Sequence, residues 1–232
     1  MQNYIKQTTL PTLLMVTLLN GCGGGGGGAT TDENTLTSPT STTTKSVSET
    51  PSVQASSSLH ILDANYIEGV RIKCASETLY TAKDGSFSCK SRPFSIYLGE
   101  YKLADINNVN YDNLILTQDI MQQPRGAIVY PEVTKLSMIL QTLDKDAILS
   151  NGIQLDKNVV QIANNYLNNR PLKDITFEEL EQNLQDIVNE VSANDTTLHL
   201  KVISKTTAQT NLASTTANLP APSPIQRSIG RL

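Results

Sequence analysis

Between residues 66 and 106 the side chains alternate in the way a half-buried strand requires. Ile67, Val70, Ile72 and Cys74 supply apolar positions, and Arg71 and Lys73 fall between them. One face is then buried and the other wet. Residues 79–81 read as the next strand. Lys83-Asp84-Gly85-Ser86 forms a turn in which Asp-Gly supplies the positive φ of a tight hairpin, and residues 87–89 lead away from it. Residues 94–98 form a further strand stopped by Gly99, and residues 101–106 add another. The pattern predicts a small antiparallel, sandwich-like β module over residues 60–130.

At Pro131 the period changes. Val133, Leu136, Leu140 and Leu143 recur at helical spacing, and Pro131 suits a first helical turn, so residues 131–143 are expected to form an amphipathic helix. Val159, Ile162, Ala163, Tyr166 and Leu167 mark a second helix over residues 158–168, ended by Pro171. Thr176-Phe-Glu-Glu179 is a capping-box sequence, with Ile175 and Leu180 placed as a hydrophobic staple. The third helix carries Leu180, Leu184, Ile187, Val188 and Val191 as a core stripe. Glu178, Glu179 and Glu181 at its start suit the positive end of the helix dipole and need no acid-base role. In residues 195–204 two readings stand: Leu198 to Ile203 alternate like a strand, and Asn194 or Asp195 can cap a short last helix. The expected fold class is α+β: a small antiparallel β-sandwich-like module, then three or four helices over residues 131–205, flanked by disordered tails.

The apolar run at residues 10–19 is too short for a transmembrane helix, which needs about 20 residues, and fits the core of a secretory signal. Leu19-Asn-Gly-Cys22, which follows it, resembles the bacterial lipobox. The resemblance implies a lipoprotein signal peptide over residues 1–21 and a diacylglyceryl group on the Cys22 thiol. It also implies an acyl chain such as palmitate on the new amino terminus, placing the chain in the cell envelope, on the periplasmic face or the outside of the outer membrane. Residues 22–59 form a Gly-, Ser- and Thr-rich linker. No strand precedes Gly23 to Gly28 and no Lys-Ser/Thr follows them, so these glycines do not read as a phosphate loop. Residues 206–232, rich in Thr, Asn, Ala and Pro, are expected to be a second disordered tail.

Tryptophan is absent, so aliphatic side chains supply most of the core. The formal charge of -4 and scattered Lys and Arg leave no basic stripe for nucleic acid, which is not an expected partner. With Cys22 committed to lipid, Cys74 and Cys89 remain, and an oxidising compartment favours a disulfide between them. Their spacing is not that of a redox C-x-x-C pair, and no second Cys pair or nearby His completes a metal site.

Gly69-Val70, Cys74, Asp84-Gly-Ser-Phe87 and Phe94-Ser-Ile-Tyr-Leu-Gly99 together resemble a group of uncharacterised bacterial surface or periplasmic lipoproteins. Residues 134–144 and 151–153 extend the resemblance. Gly-Val with Asp-Gly-Ser-Phe is also similar to carboxypeptidase-regulatory, prealbumin-like β modules. The resemblance implies a β module with helices after it and no catalysis. In such relatives the stretch at Asp144, Asp146 and Asn151 looks like a calcium loop. Here Ala147, Ile148 and Leu149 stand where further oxygen ligands would fall, so the three are weak calcium candidates set against an ordinary helix-to-loop junction, and no cofactor is expected.

His60 and His199 are far apart in sequence, and Gly85-Ser-Phe-Ser-Cys89 is not a nucleophile elbow. The leading expectation is a non-catalytic, membrane-anchored envelope lipoprotein acting in binding, adhesion or assembly. Its partners would be the membrane, through the lipid, and an unidentified envelope or surface protein. The alternative is an enzyme, or the accessory subunit of one, with a carboxylate or metal site at Asp144 and Asp146.

Overall fold

The computed structural model describes residues 58–219, which form an α+β fold. The expected signal peptide, Cys22 and nearly all of the linker lie outside the described residues, as do residues 220–232.

The longest sheet is the one the alternation predicts. Strands β3 (Arg71–Cys74), β4 (Glu77–Tyr80), β6 (Phe94–Leu98) and β7 (Tyr101–Ile106) pair antiparallel in the order β4-β3-β6-β7. Ile72 faces Ile96 and Cys74 faces Phe94 across the β3–β6 ladder, all four buried. On the wetter face the Arg71 guanidinium lies 4.4 Å from the centre of the Tyr97 ring. Cys74 and Cys89 are joined as a disulfide with Cα atoms 5.8 Å apart.

The remaining strands depart from an all-antiparallel module. Strand β1 (Leu59–Leu62) pairs antiparallel with β5 (Ser86–Phe87) and parallel with β8 (Leu114–Leu116). Strand β2 (Ile67–Glu68) pairs parallel with β9 (Ile153–Gln154). Parallel neighbours need a long crossover between them, and β9 arrives only after the chain has passed through a central helix. Residue 130 is therefore no boundary between a β part and a helical part. The Asp84-Gly85 turn also differs from expectation, because it carries the chain from the four-stranded sheet to β5 in another sheet. Gly85 holds φ +71°, and a Cβ there would sit 2.6 Å from the carbonyl of Ile61.

Helix α1 (Thr117–Ile120) is short. Helix α2 (Pro131–Thr142) starts on its proline, as predicted, but it is not amphipathic: every residue from Val133 to Thr142 is buried. It is packed against α1, against two of the later helices and against the 3-10 turn at Leu172–Asp174, so even Thr134, Ser137 and Gln141 lie inside.

Helix α3 (Lys157–Leu167) starts where the Asp156 carboxylate accepts the amides of Asn158 and Val159, and it ends at Asn168 in the left-handed region. Helix α4 (Phe177–Asn194) buries Leu180, Leu184, Ile187 and Val191, as the stripe predicts. The Thr176 hydroxyl caps it by accepting the Glu179 amide at 3.1 Å. The reciprocal half of the capping box is not made, because the Glu179 carboxylate pairs with Arg170 instead.

Residues 195–204 form neither strand nor helix. They are irregular, with a turn at residues 196–197, and are fastened by the buried Leu200 and Ile203 and by the Ile203 amide, which donates to the Thr142 hydroxyl at 3.0 Å. A last helix, α5 (Lys205–Ala217), then occupies the start of the expected tail. Its composition is tail-like, and it is helical because Ala208 and Leu212 find places in the core.

Candidate functional site

Among the described residues, a cleft of about 550 Å³ lies beside the outer edge of β7. One wall is Glu100 to Leu103, from the β6–β7 turn and β7; the facing wall comes from Met121, Gln123, Tyr130 and Glu132 around α1 and the start of α2. Asn169, Pro171, Leu172 and Lys173, after α3, close the third side.

Two of the three walls are fixed from behind. The Tyr101 hydroxyl donates to the carbonyl of Arg170 at 2.7 Å, and the Tyr101 amide donates to Oδ1 of Asn164 on α3 at 3.1 Å. Burial pushes the Tyr101 phenol above its ordinary pKa. The Lys135 ammonium, on the buried face of α2, donates to the carbonyl of Leu172 at 2.9 Å and lies 5.3 Å from the centre of the Phe177 ring. Arg170 pairs with Glu179 and donates to the carbonyl of Asp174. The third wall is thereby tied to β7, α2 and α4.

Gly99 sits at the head of the first wall with φ +59°, and a Cβ there would run into Nδ2 of Asn164. Glycine is needed for both the turn and the approach to α3. The lining carries two acids, Glu100 and Glu132, and two bases, Lys102 and Lys173. Tyr130 is 44 % exposed at the rim, next to Val129 at 68 %. No Ser, Cys or His lines the cleft. Its chemistry is that of a surface offering aromatic, amide and mixed-charge contacts to a ligand.

The sequence candidates lie elsewhere. Asp144, Asp146 and Asn151 are brought together, but as a hydrogen-bonded loop. Asp146 accepts the Ile148 amide at 2.9 Å and the Asn151 side-chain amide at 2.8 Å, and Oδ1 of Asp144 accepts the Gln154 amide at 2.9 Å. Asn151 turns its nitrogen, not its oxygen, toward Asp146. Among the described residues no group of three His, Cys, Asp or Glu side chains stands ready for a metal ion.

Asp144 is fully buried, and its Oδ2 accepts no hydrogen bond. Burial first, then the neighbouring Asp146, push its pKa up to about 6, while the Asn151 amide and the Ile148 N–H hold Asp146 low. The orphaned oxygen is satisfied when it carries the proton and donates it to Asp146. His60 donates from Nδ1 to the carbonyl of Asp84 at 3.0 Å, and His199 is exposed with its backbone N–H on the carbonyl of Lys145.

Two polar clusters were not read from the sequence. Arg125 ties together Asp112, Asp119 and the carbonyl of Leu114, which fastens the loop before α2. Asp63, fully buried, accepts the hydroxyls of Thr117 at 2.6 Å and Ser137 at 3.0 Å and the side-chain amide of Gln141 at 2.7 Å. No cation joins it among these contacts, and desolvation raises its pKa. The available signal was Ser137 and Gln141, one helical turn apart among the apolar residues of α2.

No protein-family model, no curated protein and no solved structure matches the chain.

Proposed function

We infer that the protein is an envelope lipoprotein, anchored through lipid on Cys22, whose folded part binds a partner rather than transforming a substrate. The observation that carries the binding half is the cleft beside β7. Its third wall is held by hydrogen bonds to β7, α2 and α4, so the cost of ordering that wall on binding is already met, and the cleft presents Tyr130 and both signs of charge. The anchoring half rests on the short apolar leader ending in Leu19-Asn-Gly-Cys22 and on its resemblance to the lipobox. The resemblance of the motifs from Gly69 to Gly99 to surface or periplasmic lipoproteins points the same way.

Two measurements test it. Intact-mass analysis of the membrane fraction is expected to show an acylated Cys22 at the amino terminus, and Cys22→Ser is expected to leave the chain unlipidated; an unmodified Cys22 in the mature protein refutes the anchor. A photo-crosslinking residue at Tyr130 is expected to capture a discrete envelope partner in intact cells, and Lys102→Glu with Lys173→Glu is expected to reduce the capture. The same residue at Tyr80, on the exposed edge strand β4 and outside the cleft lining, serves as control. Equal capture from the two positions, unaffected by the charge reversals, refutes the cleft as the binding surface.

A further inference from the structure

Helix α5 is attached unlike the other long helices. Only Ala208 and Leu212 are buried along it, and five of its thirteen residues are threonine, a residue that weakens a helix interior. Its seat is polar. Gln209 donates to the Thr134 hydroxyl at 3.2 Å, Thr215 donates to the carbonyl of Ala64 at 2.8 Å, and Gln118 donates to the Thr216 hydroxyl at 3.4 Å. At the centre the Asn211 amide donates to Oε1 of Gln141 at 2.7 Å.

The last contact is set from inside the core. Both oxygens of Asp63 accept here, Oδ1 from Thr117 and Oδ2 from Ser137, so Asp63 offers Gln141 an acceptor and Gln141 turns its NH2 group inward, toward Asp63 and the Ser137 hydroxyl. The carbonyl end of Gln141 must then face α5, where only a donor satisfies it. Asn211 is that donor.

We propose that α5 is a releasable strap, docked through a relay from Asp63 through Gln141 to Asn211, that opens as a unit while the sheets and α2 stay folded. A helix with few buried apolar side chains and mostly polar fastening belongs among the segments that open locally at a fraction of the global free energy. Opening uncovers Gln141, Thr134, Gln118 and the Ala64 carbonyl together. The device is independent of the cleft, so its test does not depend on the proposed function.

The test is hydrogen exchange by mass spectrometry on the full chain across a series of urea concentrations. Amides of α5 are expected to exchange at least about ten-fold faster than those of α2, with little urea dependence at low urea, whereas α2 follows global unfolding. Loss of protection in α5 and α2 together, with one urea dependence, overturns the strap.

The relay is tested by two substitutions at one position. Asn211→Ala removes a donor, and Asn211→Asp sets a carboxylate against a carbonyl oxygen that Asp63 prevents from turning away. The Asp variant is therefore expected to lose about ten-fold more α5 protection than the Ala variant, with α2 unchanged in both. If Asn211→Asp is as well protected as Asn211→Ala or better, Gln141 is free to turn its amide outward and the relay is wrong.

Discussion

Replacing Asp144 by Asn removes one ionisable oxygen and leaves an N–H where the protonated acid carries its O–H. In the native fold Asp144 is fully buried beside Asp146, and its pKa rises from the ordinary 3.8 to about 6. A folded-state pKa above the unfolded one means that the native state holds the proton more tightly. The stabilisation is then complete below about pH 4 and is lost as pH rises through about 6. Each tenfold change in proton affinity is worth about 1.4 kcal/mol, so the rise corresponds to about 3 kcal/mol. That is a large share of the 5 to 15 kcal/mol that holds a typical domain together.

Asp63, whose pKa is also raised, pulls the pH profile the same way. The comparison between wild type and Asp144→Asn cancels that contribution. Urea unfolding followed by far-UV circular dichroism is the assay, since the chain has no tryptophan. The stability difference, Asn variant minus wild type, is expected to grow by about 2 kcal/mol between pH 4 and pH 7.5, in favour of the variant. Unfolding midpoints that move in parallel over this range would show that Asp144 titrates as an ordinary carboxylate and would refute the reasoning.

Two further outcomes follow from the covalent and backbone geometry. Replacing Cys74 and Cys89 by Ser opens a loop closed at a sequence separation of 15 and is expected to cost about 3 kcal/mol in the same urea assay; if both thiols in envelope-derived protein react with an alkylating reagent before any reduction, the bond is not formed in the cell. Gly99→Ala forces alanine into a left-handed turn and drives its Cβ against Asn164 and Val160, so a loss of about 2 kcal/mol is expected. Unchanged stability in that variant would show that α3 yields at this contact and does not fix the wall of the cleft.

What the sequence determined by itself is the local structure with a strong period or a strong terminal signal. The alternation around Ile72 and around Ile96 places both residues inside the four-stranded sheet, and Pro131, Thr176 and the stripe from Leu180 to Val191 mark their helices. Period and capping act within one element, so neighbouring residues carry the whole signal. The parallel pairings of β1 with β8 and β2 with β9 depend on strands far apart in the chain and only two to four residues long. No local pattern encodes such a partner.

The same limit applied to α5. Its Thr-rich segment has the composition of an unstructured tail, and only a seat built from α1, α2 and the turn after β1 makes it a helix. The cleft and the buried Asp63 cluster are likewise properties of assembled walls. Tyr101, Tyr130 and Leu172 are ordinary residues until three separate loops meet, and a lone aspartate at residue 63 acquires its donors only when α1 and α2 close over it. Burial and hydrogen-bond pairing across long sequence separations, which tertiary packing alone creates, decided where this protein keeps its polar interior and its concave surface.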